Sequence, residues 1–364
     1  MVVISKHYDR VIGIDLGNGL VKIKTLLKDG KVYKKTLPSV YGVLRSVGDS
    51  LDEREWDIDV FTIEGQNFVW GKDVIEVEEQ VPSHGHAKRY TTTPYRNMVK
   101  IALAKVYNDI GIKSNESVLI VTGVPSDQTK KNDIKQELKN AFTNDNTVHD
   151  VKVNGEQVLF KIEEEDIIIM SQPVATVIGR YLDMDGNIQN KAYQTMKVAV
   201  VDVGGGTTDF DLIKGMRRLV EDCTSLNQGF RDVYDDIRAG IKGVYPDAEP
   251  TDFDLLKRIM SGLKNEVFTY QPNLRVEPYD FSEDLENSLK SLSAKIQGVI
   301  SSIWKNQSDI DEILLVGGSA SLFKNDIALV MDGLVVPDNN GDSNVDGYYK
   351  FGVCENNKVA ESVF

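Results

Sequence analysis

VAVVDVGGGTTDFDLI, residues 198 to 213, places three glycines and two threonines between two aspartates, directly after a run of apolar residues. A two-residue hairpin turn needs only one or two glycines. An aspartate at the end of a buried strand carries a desolvation cost that a turn alone does not explain. The stretch therefore predicts a strand that delivers a carboxylate, Asp202, to a turn of accessible backbone N–H groups.

Two further glycine-bearing turns follow apolar runs: DLGNGLVK, residues 15 to 22, and VGGS, residues 316 to 319. Glycines let the backbone approach a phosphate closely, and successive N–H groups form an anion-binding concavity. Asn18 and Thr207 can add side-chain donors, and Lys22 can add a positive charge. The candidate phosphate-binding residues are Gly17, Asn18, Gly19, Lys22, Gly204, Gly205, Gly206 and Thr207.

Asp15 and Asp202 each precede a glycine turn of their own. A carboxylate beside a phosphate is repulsive unless a cation lies between them, and Mg²⁺ commonly bridges carboxylates to nucleotide phosphates. The pattern predicts two hairpins that close on a magnesium–nucleotide complex from opposite sides. A single turn of this kind could equally be a strand-end aspartate with ordinary hairpin glycines, but three together favour the nucleotide site.

The strand–turn–strand pattern at the N-terminus, VIGIDLGNGLVKIKTLL, starts again at residue 198. Helical spacing of apolar residues follows in each half, for example in YRNMVKIALAKVYNDIG and in RDVYDDIRAGIKGVY. A chain of 364 residues is also longer than one compact core usually holds. The sequence therefore predicts a duplicated α/β architecture in which a cleft separates the halves.

Charge and composition narrow the class of protein. Lys plus Arg total 42 against 56 for Asp plus Glu, so the net charge is −14 and the protein should repel a phosphate backbone. If the protein acts on DNA, a separate adaptor would have to bind the DNA, and direct nucleic-acid binding is not expected. Two cysteines without a CxxC motif suit a reducing cytoplasm, and no apolar run approaches the length of a membrane span. We expect a cytoplasmic protein that does not bind membranes.

These motifs, in this order, resemble the nucleotide-binding signature of the actin, Hsp70 and sugar-kinase superfamily. VIGIDLGNGLVK is similar to its first phosphate loop, VAVVDVGGGTTDFDLI to its second, and ILLVGGSASLF to its adenosine motif. DIIIMSQPVATVIGRY resembles the segment that connects the two halves. The resemblance implies an actin-like ATPase fold, with two duplicated ribonuclease-H-like domains around a nucleotide cleft that binds ATP or GTP with Mg²⁺.

Within the superfamily, the chain resembles the ParM-like plasmid-segregation actins. TTTPYRNMVKIALAKV is similar to a tyrosine-rich helix start of that group, and SNVDGYYKFG to a segment near the end of the second half. The implied first domain spans residues 1–172 plus about 345–364, with an insertion at about 35–92. The implied second domain spans residues 173–344, with an insertion at about 225–295.

The resemblance also implies roles for individual residues. Asp15 and Asp202 match the aspartates that hold Mg²⁺ through water, and Asp209 matches a residue near the attacking water. Gln172 matches a glutamine that orients this water, although ParM itself often has a glutamate there. The adenosine-binding candidates are Gly317, Gly318, Ser319 and, in a helix directed at the ribose and base, Lys264. The alternative, purely structural interpretations are that Gln172 is a polar residue at the start of a helix and that Lys264 belongs to a solvent-exposed charged helix face.

The function implied by the resemblance is ATP or GTP hydrolysis coupled to polymerisation. The chain would form polar filaments with itself and segregate plasmids through a DNA-binding adaptor on a plasmid centromere. A small-molecule kinase of the same fold is a second hypothesis, which needs a carboxylate base beside an acceptor hydroxyl. The same motifs also suit a cytoskeletal protein similar to MreB or to archaeal actins, and an Hsp70-like chaperone module.

Overall fold

The computed structural model describes residues 4, 6–46, 55–84 and 88–362. By contacts the chain divides into two compact units, Met1–Gln194 with Asp342–Phe364, and Thr195–Gly341. The sequence-based boundaries lie at 172/173 and 344/345 instead. The first division lies later than predicted because the helix that begins at Gln172 packs against the C-terminal helix, within the first unit, and the second division lies slightly earlier, before Asp342.

The strands, in chain order, are β1 Arg10–Leu16, β2 Leu20–Leu26, β3 Val32–Pro38, β4 Val40–Val43, β5 Ile58–Ile63, β6 Gln66–Gly71, β7 Gln80–Pro82, β8 Val118–Val124, β9 His149–Val153, β10 Glu156–Phe160, β11 Ile167–Ser171, β12 Lys197–Val203, β13 Thr208–Lys214, β14 Arg217–Arg218, β15 Thr224–Leu226, β16 Thr269–Tyr270, β17 Tyr279–Asp280, β18 Glu312–Val316 and β19 Leu334–Val335. The α-helices are α1 Thr93–Ile110, α2 Asn132–Phe142, α3 Gln172–Tyr181, α4 Phe230–Val244, α5 Asp252–Asn265, α6 Ser282–Ile303, α7 Ala320–Ile327 and α8 Ser343–Ser362. No helix among these residues is both long and apolar enough to span a bilayer.

The two units contain central sheets of the same topology. In the first unit the strand order is β3-β2-β1-β8-β11, and in the second it is β14-β13-β12-β18-β19. In the first unit β1 pairs antiparallel with β2 and parallel with β8, and β8 pairs parallel with β11. In the second unit β12 pairs antiparallel with β13 and parallel with β18, and β18 pairs parallel with β19. The predicted duplication of an α/β unit is therefore confirmed.

The first unit holds the C-terminal helix α8 against its central sheet. Asp346 in its first turn pairs with Lys24 on β2, and Asp342, the residue directly before the helix, pairs with Lys34 on β3, each with an N–O distance of 2.5 Å. A Cβ atom at Gly347 would lie 1.8 Å from the carbonyl oxygen of Ala175, so only glycine allows α8 to pack this closely on α3. The chain therefore returns to the first unit after residue 341.

A second sheet of the first unit has the strand order β10-β9-β5-β6-β4-β7. The predicted insertion at residues 35–92, part of which lies outside the described residues, contributes β4 to β7. The hairpin of β9 and β10 joins them because β5 pairs antiparallel with β9. Its turn, Asn154 and Gly155, has φ values of 51° and 89°, as the Asn-Gly sequence predicts for a tight hairpin.

The core of the second unit lies between its central sheet and helices α4, α6 and α7. Four buried phenylalanines and a tryptophan fill it: Phe210, Phe230, Phe281, Phe323 and Trp304. The indole N–H of Trp304 donates to the carbonyl of Asp222 at 3.0 Å, so burial leaves no unpaired donor on this ring. This packing fixes β12, β13 and β18, whose ends carry the glycine turns of the sequence motifs.

Candidate functional site

The first glycine hairpin joins β1 to β2. Asp15 lies near the end of β1, is only 7 % exposed, and is the cross-strand partner of Lys22 on β2. The N–H of Gly17 donates to the carbonyl of Leu20 at 3.1 Å and closes the turn that contains Asn18 and Gly19. The structure thus brings the predicted carboxylate, turn and lysine together in one hairpin.

Burial raises the pKa of Asp15 above its ordinary value of 3.8. The charges of Lys22 and Arg89 and a hydrogen bond from Gln172 act in the opposite direction, but burial prevails. An aspartate in this setting gains from a cation that balances its charge.

Gln172 reaches the same carboxylate. It is the first residue of α3, directly after β11, and β11 belongs to the same sheet as β1. Its Nε2 donates to Asp15 Oδ1 at 3.5 Å. The amide side chain is therefore beside the first hairpin, and its role in orienting water stays a prediction.

Arg89 is a member of this group that the sequence did not reveal. It opens a short 3-10 helix, Arg89–Thr91, and its Nη1 donates to Asn18 Oδ1 at 2.6 Å. Its Nη2 donates to the hydroxyl of Tyr90 at 3.0 Å. No periodicity or spacing pointed to it, because 71 positions separate it from Asn18; the only signal was a basic residue just before the tyrosine-rich helix start.

The second glycine hairpin joins β12 to β13, and Asp202 and Asp209 are cross-strand partners at its base. The N–H of Gly204 donates to the carbonyl of Thr207 at 2.9 Å and closes the turn. The carbonyls of Gly204 and Gly205 accept from the N–H groups of Phe230 and Arg231, at 3.0 and 2.7 Å. These two residues begin α4, so the turn is held against a helix N-terminus.

Both carboxylate oxygens of Asp209 accept hydrogen bonds from hydroxyl groups. Ser225 Oγ donates to Oδ1 at 2.5 Å, and Thr207 Oγ1 donates to Oδ2 at 3.4 Å. Asp209 is 9 % exposed. The second hairpin therefore carries a carboxylate with a fixed orientation next to one of its donor residues.

The turn after β18 lies beside this hairpin. Asp202 is the parallel partner of Val316, so Gly317 follows at the same end of the sheet. Gly317 has φ 106°, and a Cβ atom there would lie 2.2 Å from the carbonyl oxygen of Val203 and 3.0 Å from Asp202 Oδ1. Gly318 and Ser319 lead into α7. Two of the three predicted turns are thus neighbours.

Lys264 belongs to α5 of the second unit. It is an exposed residue in the last turn of α5. Its role at the base or ribose stays a prediction.

Two family models match the chain, one after the other. The model of the N-terminal domain of actin-like proteins matches residues 13–174, and the model of the C-terminal part of the MreB-like archaeal actin homologue matches residues 200–328. The chain belongs to the actin-like proteins. Each model includes one of the two glycine hairpins, so the duplicated carboxylate-and-glycine pattern falls within the matched regions.

Solved structures share the fold of this actin-like protein. The apo psk41 ParM protein has 22 % identity and a TM-score of 0.71, covering 96 % of this chain and 99 % of its own. The archaeal actin homologue Ta0583 in complex with ADP has 22 % identity and a TM-score of 0.65, covering 97 % of this chain and 99 % of its own. A 15-stranded ParM filament from Clostridium botulinum has 19 % identity and a TM-score of 0.69, covering 95 % of this chain and 99 % of its own. No relative was found among curated proteins.

The residues of this actin-like protein suit a magnesium–nucleotide complex. Mg²⁺ at such sites is held by one or two carboxylates, by water and by substrate phosphates, so it needs no dense protein cage. The described residues contain no group of three or more His, Cys, Asp or Glu side chains that could hold a metal by itself. The strand-end carboxylate Asp15, buried beside Lys22, fits this kind of coordination, in which protein carboxylates, water and phosphates hold the cation together.

Proposed function

We propose that this chain is an ATPase, using ATP or GTP, that forms filaments and segregates plasmid DNA in the cytoplasm through a DNA-binding adaptor. The observation that carries the proposal is the repeated hairpin: each unit presents an aspartate at a strand end next to a glycine turn, on equivalent strands. The match to actin-like family models in both regions supports it.

The chemistry of the proposed site divides among a few groups. The backbone N–H groups of the two turns, with Thr207 and Lys22, bind the phosphates of one nucleotide. Asp15 and Asp202 would hold Mg²⁺ through water, and the cation, when bound, would neutralise charge on the phosphates. Gln172 orients the attacking water, and Asp209 lies near this water. A glutamine positions water without accepting its proton, so we expect slow hydrolysis suited to a timer.

A nucleotide can switch assembly only if the filament and the free chain differ in their affinity for it. In the proposed cycle the triphosphate favours the polymerising form, and hydrolysis with phosphate loss weakens the filament. The 15-stranded ParM filament, similar in fold to this chain, supports self-association as the outcome. The ADP complex of the archaeal homologue supports nucleotide binding.

Right-angle light scattering tests nucleotide-switched polymerisation. The purified chain is mixed with magnesium and ATP, GTP or ADP, and samples are checked by negative-stain electron microscopy. We expect scattering to rise with a triphosphate, to stay flat with ADP, and to be lost in Asp202→Ala. Tight nucleotide binding without scattering would overturn filament formation and favour the kinase of the same fold, which a phosphorylated acceptor would then reveal.

The plasmid role needs a separate test, because the archaeal homologue shows that the fold is not confined to ParM proteins. The net charge of −14 supports an adaptor rather than direct DNA contact. We expect the chain, expressed with the genes that flank its own, to lower the loss rate of a low-copy test plasmid. Equal loss with wild type and Asp202→Ala would instead favour a general cytoskeletal role.

A further inference from the structure

Arg89 forms no ion pair within 4 Å with a carboxylate of the described residues, although its charge acts on Asp15 from a greater distance. Arg10, Arg45 and Arg96 each pair with an acidic side chain. Arg89 instead uses neutral partners, Asn18 and the hydroxyl of Tyr90. In a chain with an excess of 14 negative charges, such an arginine retains its capacity to bind an anion.

The guanidinium has unused hydrogen-bonding capacity at this position. Arginine carries five N–H donors in a rigid fork. The Nε of Arg89 is shielded from solvent and has no hydrogen-bond partner among the residues that the structure describes. Buried donors are normally paired, and an unpaired one costs free energy. A bound anion would supply the missing acceptor.

Aromatic packing holds the guanidinium in place. Arg89 Cζ lies 4.9 Å from the ring centre of Tyr90, and that ring packs edge-on against Tyr95 at 5.1 Å. The Tyr90 hydroxyl donates to Gln128 Oε1 at 2.9 Å, which leaves its lone pairs to accept from Arg89. The side chain is thus positioned before any ligand binds, and preorganisation of this kind reduces the entropy lost on binding.

Asn18 extends the same site into the glycine turn. Its Oδ1 faces Arg89, so its amide NH₂ group is directed away from the guanidinium and can donate to a ligand of the turn. The guanidinium fork and the amide together match the several oxygens of a phosphate group, which arginine binds in bidentate fashion.

We propose that Arg89, supported by Asn18, binds a phosphate dianion: the terminal phosphate of the bound nucleoside triphosphate, or the inorganic phosphate that hydrolysis releases. This inference rests on the nucleotide-binding function proposed above. It assigns to Arg89 the discrimination between triphosphate and diphosphate, a role that goes beyond binding the nucleotide as such.

Isothermal titration calorimetry of the full chain tests this assignment, with magnesium and either ADP or a non-hydrolysable ATP analogue. In Arg89→Gln we expect the dissociation constant of the triphosphate analogue to rise about tenfold or more, equal to about 1.4 kcal/mol, and that of ADP to change less than about twofold. Arg45→Gln is the matched control, since it removes an exposed arginine of the same unit and should leave both affinities unchanged.

Each result has a defined meaning. Equal weakening of both nucleotides in Arg89→Gln, or no weakening, overturns the assignment while nucleotide binding stands. A wild type that binds neither nucleotide overturns the proposed function and the assignment with it. If Arg89→Gln does not fold, Arg89→Lys decides, because lysine keeps the charge but not the fork: a selective loss of triphosphate affinity supports the assignment, and wild-type behaviour contradicts it.

The source of the phosphate is distinguished by titrating inorganic phosphate into the chain saturated with magnesium and ADP. Phosphate binding by the wild type that disappears in Arg89→Gln supports retention of the released phosphate at this residue. A selective triphosphate effect without phosphate binding supports contact with the terminal phosphate alone. Phosphate binding that is the same in wild type and Arg89→Gln contradicts a phosphate site at this residue.

Discussion

The two glycine hairpins share a topology but differ in what surrounds them. In the first, Asp15 faces a cation, Lys22, across the strands, and the turn residue Asn18 is held by Arg89. In the second, Asp202 faces another carboxylate, Asp209. The turn of the second hairpin is held by the N-terminus of α4 through the carbonyls of its glycines.

The duplicated topology therefore carries different side chains at its two turns. The first hairpin supplies positive side chains and the amide of Gln172, whereas the second supplies hydroxyl groups, carboxylates and a backbone fixed by close packing. Repetition of a strand order therefore does not imply repetition of a chemical role. An added Cβ atom would meet nothing within 4 Å at Gly19 in the first hairpin, but at Gly317, in the turn beside the second hairpin, it would lie 2.2 Å from the carbonyl oxygen of Val203. Position 19 should therefore tolerate a larger residue better than position 317.

The largest effect is expected from Gly317→Ala in the second unit. The new methyl group would lie 2.2 Å from the carbonyl oxygen of Val203, at a φ of 106° that side chains rarely adopt. We expect the free energy of unfolding to fall by about 2 to 4 kcal/mol, as a sum of overpacking and backbone strain. Chemical denaturation followed by circular dichroism measures it.

Two controls sharpen this prediction. Gly318→Ala is adjacent in sequence, and Gly19→Ala changes the first hairpin; an added Cβ meets no atom within 4 Å at either position. Both should change the free energy of unfolding by less than about 0.5 kcal/mol. A loss at Gly19 as large as that at Gly317 would contradict the contrast between the closely packed position 317 and the open position 19.

A smaller effect, on turnover alone, is expected from Gln172→Ala. The amide at the first hairpin donates to Asp15 at 3.5 Å, and its proposed task is to orient water. We expect the hydrolysis rate at saturating nucleotide to fall about tenfold or more, equal to about 1.4 kcal/mol, with nucleotide affinity little changed. A phosphate-release assay measures the rate, and Gln136→Ala on the exposed face of α2 is the control. An unchanged hydrolysis rate would mean that another group orients the attacking water.

The smallest effect concerns the pH dependence of stability. Burial raises the pKa of Asp15, so between the ordinary value of 3.8 and the raised value the folded chain holds a proton that the unfolded chain has released. Stability is therefore lost as pH rises through this interval. We expect Asp15→Asn to match the wild type below the ordinary pKa and to be more stable at neutral pH, in buffer without divalent cations or nucleotide.

Thermal unfolding of both proteins across pH checks this expectation. Asp29→Asn is the control, because Asp29 is an exposed aspartate whose pKa is lowered by its hydrogen bond with Lys31. The control should not gain stability at neutral pH. An Asp15→Asn variant less stable than the wild type at neutral pH would show that the favourable charges of Lys22 and Arg89 outweigh burial.

Local pattern predicted much of the fold. Runs of β-branched residues interrupted by glycines predicted a strand on each side of each turn, and β1, β2, β12 and β13 lie there, because strand ends and tight turns depend on nearby residues. The repeated start of the two halves predicted the duplication. The sequence also predicted that Asp15 and Lys22 share a hairpin, since both lie beside the same turn.

The rest depends on contacts between distant parts of the chain. Arg89 has no periodic or spacing signal in the sequence, because its partners Asn18 and Gln128 come from separate segments brought together by folding. The close packing of α8 on α3 involves glycines far apart in the sequence, Gly179 and Gly347, and the predicted boundary at residue 172 preceded the division of the units. Long-range placement of this kind has no local pattern.

The central claim is that both hairpins bind the same magnesium–nucleotide complex. Calorimetry of nucleotide binding in wild type, Asp15→Asn, Asp202→Asn and the double variant tests it most directly. We predict one nucleotide per chain, a loss of affinity of about tenfold or more in each single variant, and a double variant weaker by clearly less than the sum of the two, because both carboxylates act on one cation. Additive effects, or a loss in only one of the single variants, would contradict the claim.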